Sequence, residues 1–139
     1  MPIYTASLTV PAGTAQNSPA SVEISVNEWT VIGFHVYFPP GCAGTVHIAV
    51  YYGSEQIAPK PTGASIRGDG ETVSWPEEWK CPEKPCTLTF LGWSPSASYD
   101  HTVLIRVITK PEHVEESETL AKQTQRLIMR FLKRVLGAR

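Results

Sequence analysis

Apolar and polar residues alternate along most of the first 109 positions. The segment "SVEISV" (21–26) places Val22, Ile24 and Val26 on one side and Glu23 and Ser25 on the other. A period of two is typical of a β-strand that buries one face. The pattern predicts eight strands, over residues 3–10, 21–26, 30–38, 45–52, 55–58, 71–75, 87–93 and 101–109.

The segments between these strands are rich in turn-forming residues. The chain contains 12 prolines and 10 glycines, and most of them lie between apolar runs. No helical pattern interrupts the strands before residue 111, which favours an all-β fold over βαβ units. We therefore predict an eight-stranded antiparallel sandwich, and several long connections favour a jelly-roll-like arrangement. An immunoglobulin-like sandwich is the alternative, although the Cys…Trp…Cys spacing of that fold is missing.

The last 29 residues follow a different pattern. From Ser117, a suitable N-cap, to about Leu136, apolar residues recur at intervals of three and four, as on an amphipathic α-helix that ends at Gly137. The apolar stripe comprises Leu120, Thr124, Leu127, Ile128, Phe131, Leu132 and Val135. The basic face comprises Lys122, Arg126, Arg130, Lys133 and Arg134. We divide the chain into a β-sandwich domain, residues 1–110, and a tail, residues 111–139, with an acidic linker before the helix.

Composition and charge agree with this division. Hydrophobic residues make up 42% of the 139 positions and charged ones 18%, enough for one domain with a sizeable core. Residues 1–110 carry six basic and nine acidic side chains (net −3), residues 111–139 six and four (net +2), and the sum is the overall −1. The start "MPIYTASLTV" lacks the features of a signal peptide, and no stretch is apolar enough to span a bilayer. We therefore expect synthesis in the cytoplasm.

Three cysteines are the first candidates for chemistry. Cys81 and Cys86 flank "PEKP", and Cys42 lies in another turn. Cytoplasmic synthesis favours free thiols, a Cys81–Cys86 disulfide is the second possibility, and a metal site with His47 or His101 is the third.

Other motifs predict little chemistry. The chain has no G-x-S-x-G, P-loop or dinucleotide motif, so we expect neither catalysis nor a cofactor. Arg67–Asp69 spells "RGD", which we interpret as a turn in which Gly68 and Gly70 supply positive φ angles. Trp75, Trp79 and Trp93, with several tyrosines, could form a sugar-binding platform, with Trp79 expected to be exposed in a polar loop. Packing in the core is the alternative for these rings.

The β region also resembles a group of viral proteins. The runs "FPPGCAGTVHIAVYYG", "GDGETVSW", "CPEKPCTLTFLGW" and "YDHTVLIRV" are similar to segments of small β-sandwich proteins encoded among the virion structural genes of phages and related prokaryotic viruses. The resemblance covers most of residues 3–109 and implies a capsid decoration, cement or minor capsid protein located in the virion. It does not include the C-terminal helix.

Together these observations predict a non-enzymatic virion structural protein that docks on a larger assembly through its helix. We expect the partner to be another copy of the chain, with a trimer favoured, or a major capsid protein. A membrane surface is a further possible partner for the basic helix, and no specific nucleic acid is expected. The alternative function is a carbohydrate-binding module that recognises a host surface.

Overall fold

The structure, a computed structural model, describes residues 2–111, 125 and 127–134. Its β-strands are β1 (Ile3–Val10), β2 (Ala20–Val26), β3 (Thr30–Phe38), β4 (His47–Tyr52), β5 (Glu55–Ala58), β6 (Glu71–Lys80), β7 (Cys86–Trp93) and β8 (His101–Thr109). Residues 125 and 127–134 are helical. The fold is therefore a β-sandwich with a short C-terminal helix, as the sequence predicts.

The strands form two antiparallel sheets of four strands each. One sheet has the order β1-β8-β3-β6 and the other has the order β2-β7-β4-β5. The pairs β4–β5, β3–β6, β2–β7 and β1–β8 are nested, as in one long hairpin that folds over so that successive pairs fall alternately in the two sheets. This order is that of a jelly roll.

The core lies between the two sheets. The inward-facing side chains of each strand are buried, because alternate residues point to the same side of a sheet. Phe34 of β3 is fully buried, and its ring centroid lies 5.4 Å from that of Trp75 and 6.2 Å from that of Phe90. The contact of Phe34 with Phe90 joins a middle strand of one sheet, β3, to a middle strand of the other, β7.

The sequence pattern underestimates β6, which continues to Lys80 instead of ending at Trp75. Pro76 lies within this strand, opposite Gly33 of β3. β6 is at the edge of its sheet, where a residue without an N–H group is tolerated. The extension corrects the position of Trp79, which lies half-buried in a strand and not exposed in a loop.

The inward side of β3 also differs from a regular alternation. The register with both neighbouring strands shifts between Val31 and Gly33. A β-bulge adds a residue to one strand and changes which side chains point inward. Val31 is consequently fully buried, whereas Ile32, which the alternation places with Phe34 and Phe38, is only half-buried.

Gly92 in β7 allows the two sheets to approach closely. A Cβ atom at this position would lie 2.7 Å from Cγ2 of Val10 and 3.0 Å from Cδ2 of Leu8, both in β1. It would also lie 3.2 Å from Cδ1 of Ile48 in β4. The absence of a side chain at residue 92 thus lets β1 pack across β7.

A buried polar residue holds the chain after β5. Gln56 is 1% exposed, and its Nε2 donates hydrogen bonds to the carbonyl oxygens of Pro59 (2.6 Å) and Ala64 (3.0 Å). Its Oε1 accepts from the N–H of Gly63 (2.7 Å) and from the hydroxyl of Tyr51 (3.0 Å). The amide is fully satisfied, as a buried polar group must be to avoid a desolvation cost.

Candidate attachment site

The helical residues 127–134 carry an apolar face and a basic face. At about 100° per residue, Leu127, Phe131, Ile128 and Leu132 fall within an arc of roughly 140°. The remaining arc carries three cations and no acid among the described residues, and it comprises Arg130, Lys133 and Arg134. The part of the predicted helix that the structure describes therefore separates apolar from basic side chains.

The apolar face of this helix is exposed. Phe131 is 66% exposed and Leu127 is 63% exposed, and Ile128 and Leu132 are also open to solvent. Met129 is exposed next to this arc and was not included in the predicted stripe. Its position, one residue after Ile128, extends the apolar arc to about 200° at 100° per residue. Contiguous exposed apolar surface marks an interaction site.

Several predicted residues of this site lie outside the described residues. They are Leu120, Thr124 and Val135 of the apolar stripe and Lys122 and Arg126 of the basic face. The described part of the candidate attachment site is residues 127–134.

The three cysteines are free thiols, and all are buried. Cys86 begins β7, and its side chain is hydrogen-bonded to that of Cys81. Burial, this hydrogen bond and the nearby Cys81 and Glu83 raise the pKa of Cys86 to about 12. Burial also raises the pKa of Cys42 and of Cys81. Such thiols are poor nucleophiles, because the thiolate is the reactive form.

The histidine predicted as a possible metal ligand, His47, makes other contacts in the structure. Among the described residues, no group of three or more His, Cys, Asp or Glu side chains could hold a metal ion. His47 instead stacks on Trp93 at 5.6 Å, and its Nδ1 lies 2.7 Å from the hydroxyl of Ser65. Burial, with a smaller effect of Arg67, lowers the pKa of His47. His47 is thus half-buried in a structural contact.

The "RGD" sequence forms a packed turn. Gly68 is buried, and a Cβ atom there would lie 2.8 Å from Cδ2 of Phe38. The Asp69 carboxylate accepts a hydrogen bond from the N–H of Gly41 (2.9 Å). Gly70 has a positive φ of 61°, as expected, but Gly68 is needed for close packing and not for a positive φ angle.

The aromatic residues considered as a sugar platform are dispersed. Trp75 stacks on Phe34, and Trp79 contacts Tyr52 at 5.5 Å. Trp93 is buried in its contact with His47. In the part of the chain that the structure describes, these rings therefore do not form a row. Among the described residues of the sandwich, residues 2–111, the exposed large rings are Trp29, 49% exposed, and Tyr99, 75% exposed.

A cleft opens where the two sheets diverge. β1 packs against β2 on one side of the sandwich, whereas on the other side a cleft of about 250 Å³ lies between β5 and β6. Its walls are mainly apolar, and Lys60 and Glu77 line it as well. The alternating pattern does not indicate this cleft, because β5 and β6 belong to different sheets and the pattern does not show how the sheets lie against each other.

Comparisons with known proteins give fold likenesses. No protein-family model matches the chain, and the curated proteins contain no match to it. A CBM4 structure is 14% identical, with a TM-score of 0.43 over 76% of this chain and 84% of that one. The Yersinia pseudotuberculosis-derived mitogen is 8% identical, with a TM-score of 0.44 over 78% of this chain and 86% of that one.

A viral capsid is also among the similar structures. The cyanophage Pam1 capsid asymmetric unit is 14% identical, with a TM-score of 0.41 over 76% of this chain and 81% of that one. At these identities and TM-scores the likenesses assign no function. Among the described residues, no helix has the length and apolar character needed to cross a membrane.

Proposed function

We propose that the protein is a non-enzymatic structural component of a virion, a decoration, cement or minor capsid protein, that attaches to a larger assembly through its C-terminal helix. The observation that carries this proposal is the exposed apolar face of residues 127–134. Two of its side chains, Leu127 and Phe131, are each more than 60% exposed. A helix of this length is marginal in water by itself, so a stable helix requires that this face be covered.

The jelly-roll fold is compatible with a structural role in a virion. Double-sheet jelly rolls occur in viral capsid and lectin domains. Their rigid sandwich supplies a body that a separate segment can anchor. The dispersed aromatic residues do not favour the lectin-like alternative.

The energies indicate which forces dominate the attachment. Burying one large apolar side chain contributes roughly 1.5–3 kcal/mol. Burial of Leu127, Ile128, Phe131 and Leu132 would therefore contribute on the order of 6–12 kcal/mol before the cost of ordering. The exposed cations contribute less, since surface ion pairs are worth about 0–1 kcal/mol each. Apolar packing should thus provide affinity, and charge should select the partner.

The test is co-sedimentation of the protein with particles purified from the source of the sequence. The parent protein should migrate with the particles. The double variant Leu127→Asp, Phe131→Asp should remain folded and stay in the supernatant, because charges on the apolar face prevent burial. Leu104→Asp, on the exposed face of β8, is the matched control and should still bind. If the double variant co-sediments like the parent, the helix is not the attachment element.

A further inference from the structure

The cleft between β5 and β6 has the chemistry of an acceptor for an apolar side chain. Ile57, Ala58, Ile66 and Trp75 form its apolar walls. Ile57 and Ala58 are buried core residues, and Trp75 is half-buried and fixed by stacking on Phe34. The walls are thus rigid before any ligand binds, which reduces the ordering cost of binding.

The volume of the cleft corresponds to one aromatic side chain. An apolar cavity of roughly 150 Å³ is large enough to bind benzene. The cleft measures about 250 Å³, so it can hold the ring of Phe131 with room for part of a neighbouring side chain. Phe131 is the most exposed of the large apolar side chains described in the helix.

Charge on the two surfaces is complementary. The two charged residues that line the cleft, Lys60 and Glu77, cancel each other. The strands that form the cleft, β5 and β6, add the acids Glu55, Glu71 and Glu78 and the base Lys80, so this surface has a net charge of −2. Residues 127–134 carry three bases and no acid, a net of +3. Two such helices would repel each other, whereas a helix against β6 brings opposite charges together.

Within one chain, the helix and the cleft do not cover each other. Phe131 remains exposed, and the cleft remains open. We therefore infer that residues 127–134 of one copy dock on the β5–β6 cleft of a neighbouring copy, with Phe131 inserted between Ile66 and Trp75. This inference rests on the proposed function of the helix as the attachment element, and it names a second copy as the partner.

The experiment measures self-association of the full chain by sedimentation velocity and uses two variants. Phe131→Asp removes the inserted ring and leaves the cleft intact. Ile66→Trp fills the cleft with a larger apolar side chain and leaves the helix intact. Each variant alone should weaken association by about thirtyfold or more, as expected for loss of an aromatic anchor. Leu104→Trp, an equal enlargement on the exposed face of β8, is the control and should associate like the parent.

A mixture of the two variants tests the arrangement directly. The intact helix of Ile66→Trp can enter the intact cleft of Phe131→Asp, so the mixture should form heterodimers at concentrations at which each variant by itself is monomeric. Contact between helices would not be restored by mixing, because one chain of each pair lacks Phe131. If Ile66→Trp does not fold, Glu77→Lys replaces it as the cleft variant, since it reverses the charge that lines the cleft.

Several results would overturn the inference. They are a monomeric parent at high concentration, normal association of the cleft variant, and no complex in the mixture. Binding of a monomeric parent to phosphatidylserine vesicles would assign the helix to a membrane surface instead. If Phe131→Asp abolishes attachment but the cleft variants do not, only this inference fails. If Phe131→Asp changes neither self-association nor particle binding, the proposed function fails with it.

Discussion

Replacing Gln56 should destabilise the sandwich although the residue belongs to no active site. The side chain is almost completely buried and makes four hydrogen bonds, three of them to backbone groups of residues 59–64. Gln56→Leu removes all four. The carbonyl oxygens of Pro59 and Ala64 and the N–H of Gly63 then lose the partner that the Gln56 amide supplies.

The expected cost follows from these contacts. Four hydrogen bonds at a net of about 1 kcal/mol each amount to about 4 kcal/mol. Burial of the leucine side chain offsets roughly 1.5 kcal/mol of this loss. The free energy of unfolding should therefore fall by about 2–3 kcal/mol, measured by urea denaturation with tryptophan fluorescence, and the slope with urea should not change.

Two further variants test the reasoning. Gln16→Leu is the matched control, because the Gln16 side chain is exposed and makes one long hydrogen bond, 3.4 Å, to Gly63. It should change stability by less than about 0.5 kcal/mol. Gln56→Glu keeps the shape but places an oxygen opposite the carbonyls of Pro59 and Ala64. It should cost more than leucine at pH 7 and less as the pH falls to about 4, where a protonated carboxyl can donate a hydrogen bond.

The reasoning would be refuted if Gln56→Leu lost less than about 1 kcal/mol, or if Gln16→Leu lost as much as Gln56→Leu. A Gln56→Glu variant whose stability did not rise on acidification would show that the orientation of the amide does not matter.

Two other predictions concern packing and thiol reactivity. Gly92→Ala should cost about 1–3 kcal/mol of unfolding free energy, since its Cβ would lie 2.7 Å from a Val10 methyl. The control Gly33→Ala, whose Cβ would meet its nearest atom at 3.6 Å, should cost less, and equal costs would contradict the packing argument. Because the pKa of Cys86 is raised to about 12, this buried thiol should resist iodoacetamide at pH 8 in the native protein and react in denaturant. Rapid native labelling of Cys86, mapped by mass spectrometry, would contradict its burial.

The period-two pattern predicts much of the fold because one face of each strand is buried. It identifies all eight strands, and it fails where local chemistry departs from alternation. Pro76 and the following glutamates are typical of a loop, yet they continue an edge strand. The bulge at Val31 has no signature in the apolar pattern, because Val31 and Ile32 are equally apolar.

One part of the candidate site could be predicted from the sequence and the other part could not. The apolar arc of residues 127–134 follows from sequence spacing alone, because a helix has a fixed period. The β5–β6 cleft depends on how two sheets diverge. Its walls combine Ile57, Ile66 and Trp75, which no local pattern relates. Local periodicity can therefore identify the helix, and only the tertiary structure identifies an acceptor for it.

The position of β8 between β1 and β3 has a consequence for biosynthesis. Ile3 pairs with Ile108, so among the eight described strands β1 gains its partner in the sheet from β8, the last of them to be made. During translation, the backbone groups of β1 and of one edge of β3 that pair with β8 remain unpaired until the ribosome has released Thr109. Such non-local pairing is typical of folding over milliseconds to seconds. The nascent chain is therefore most vulnerable to aggregation, and most dependent on chaperones, in the interval before β8 emerges.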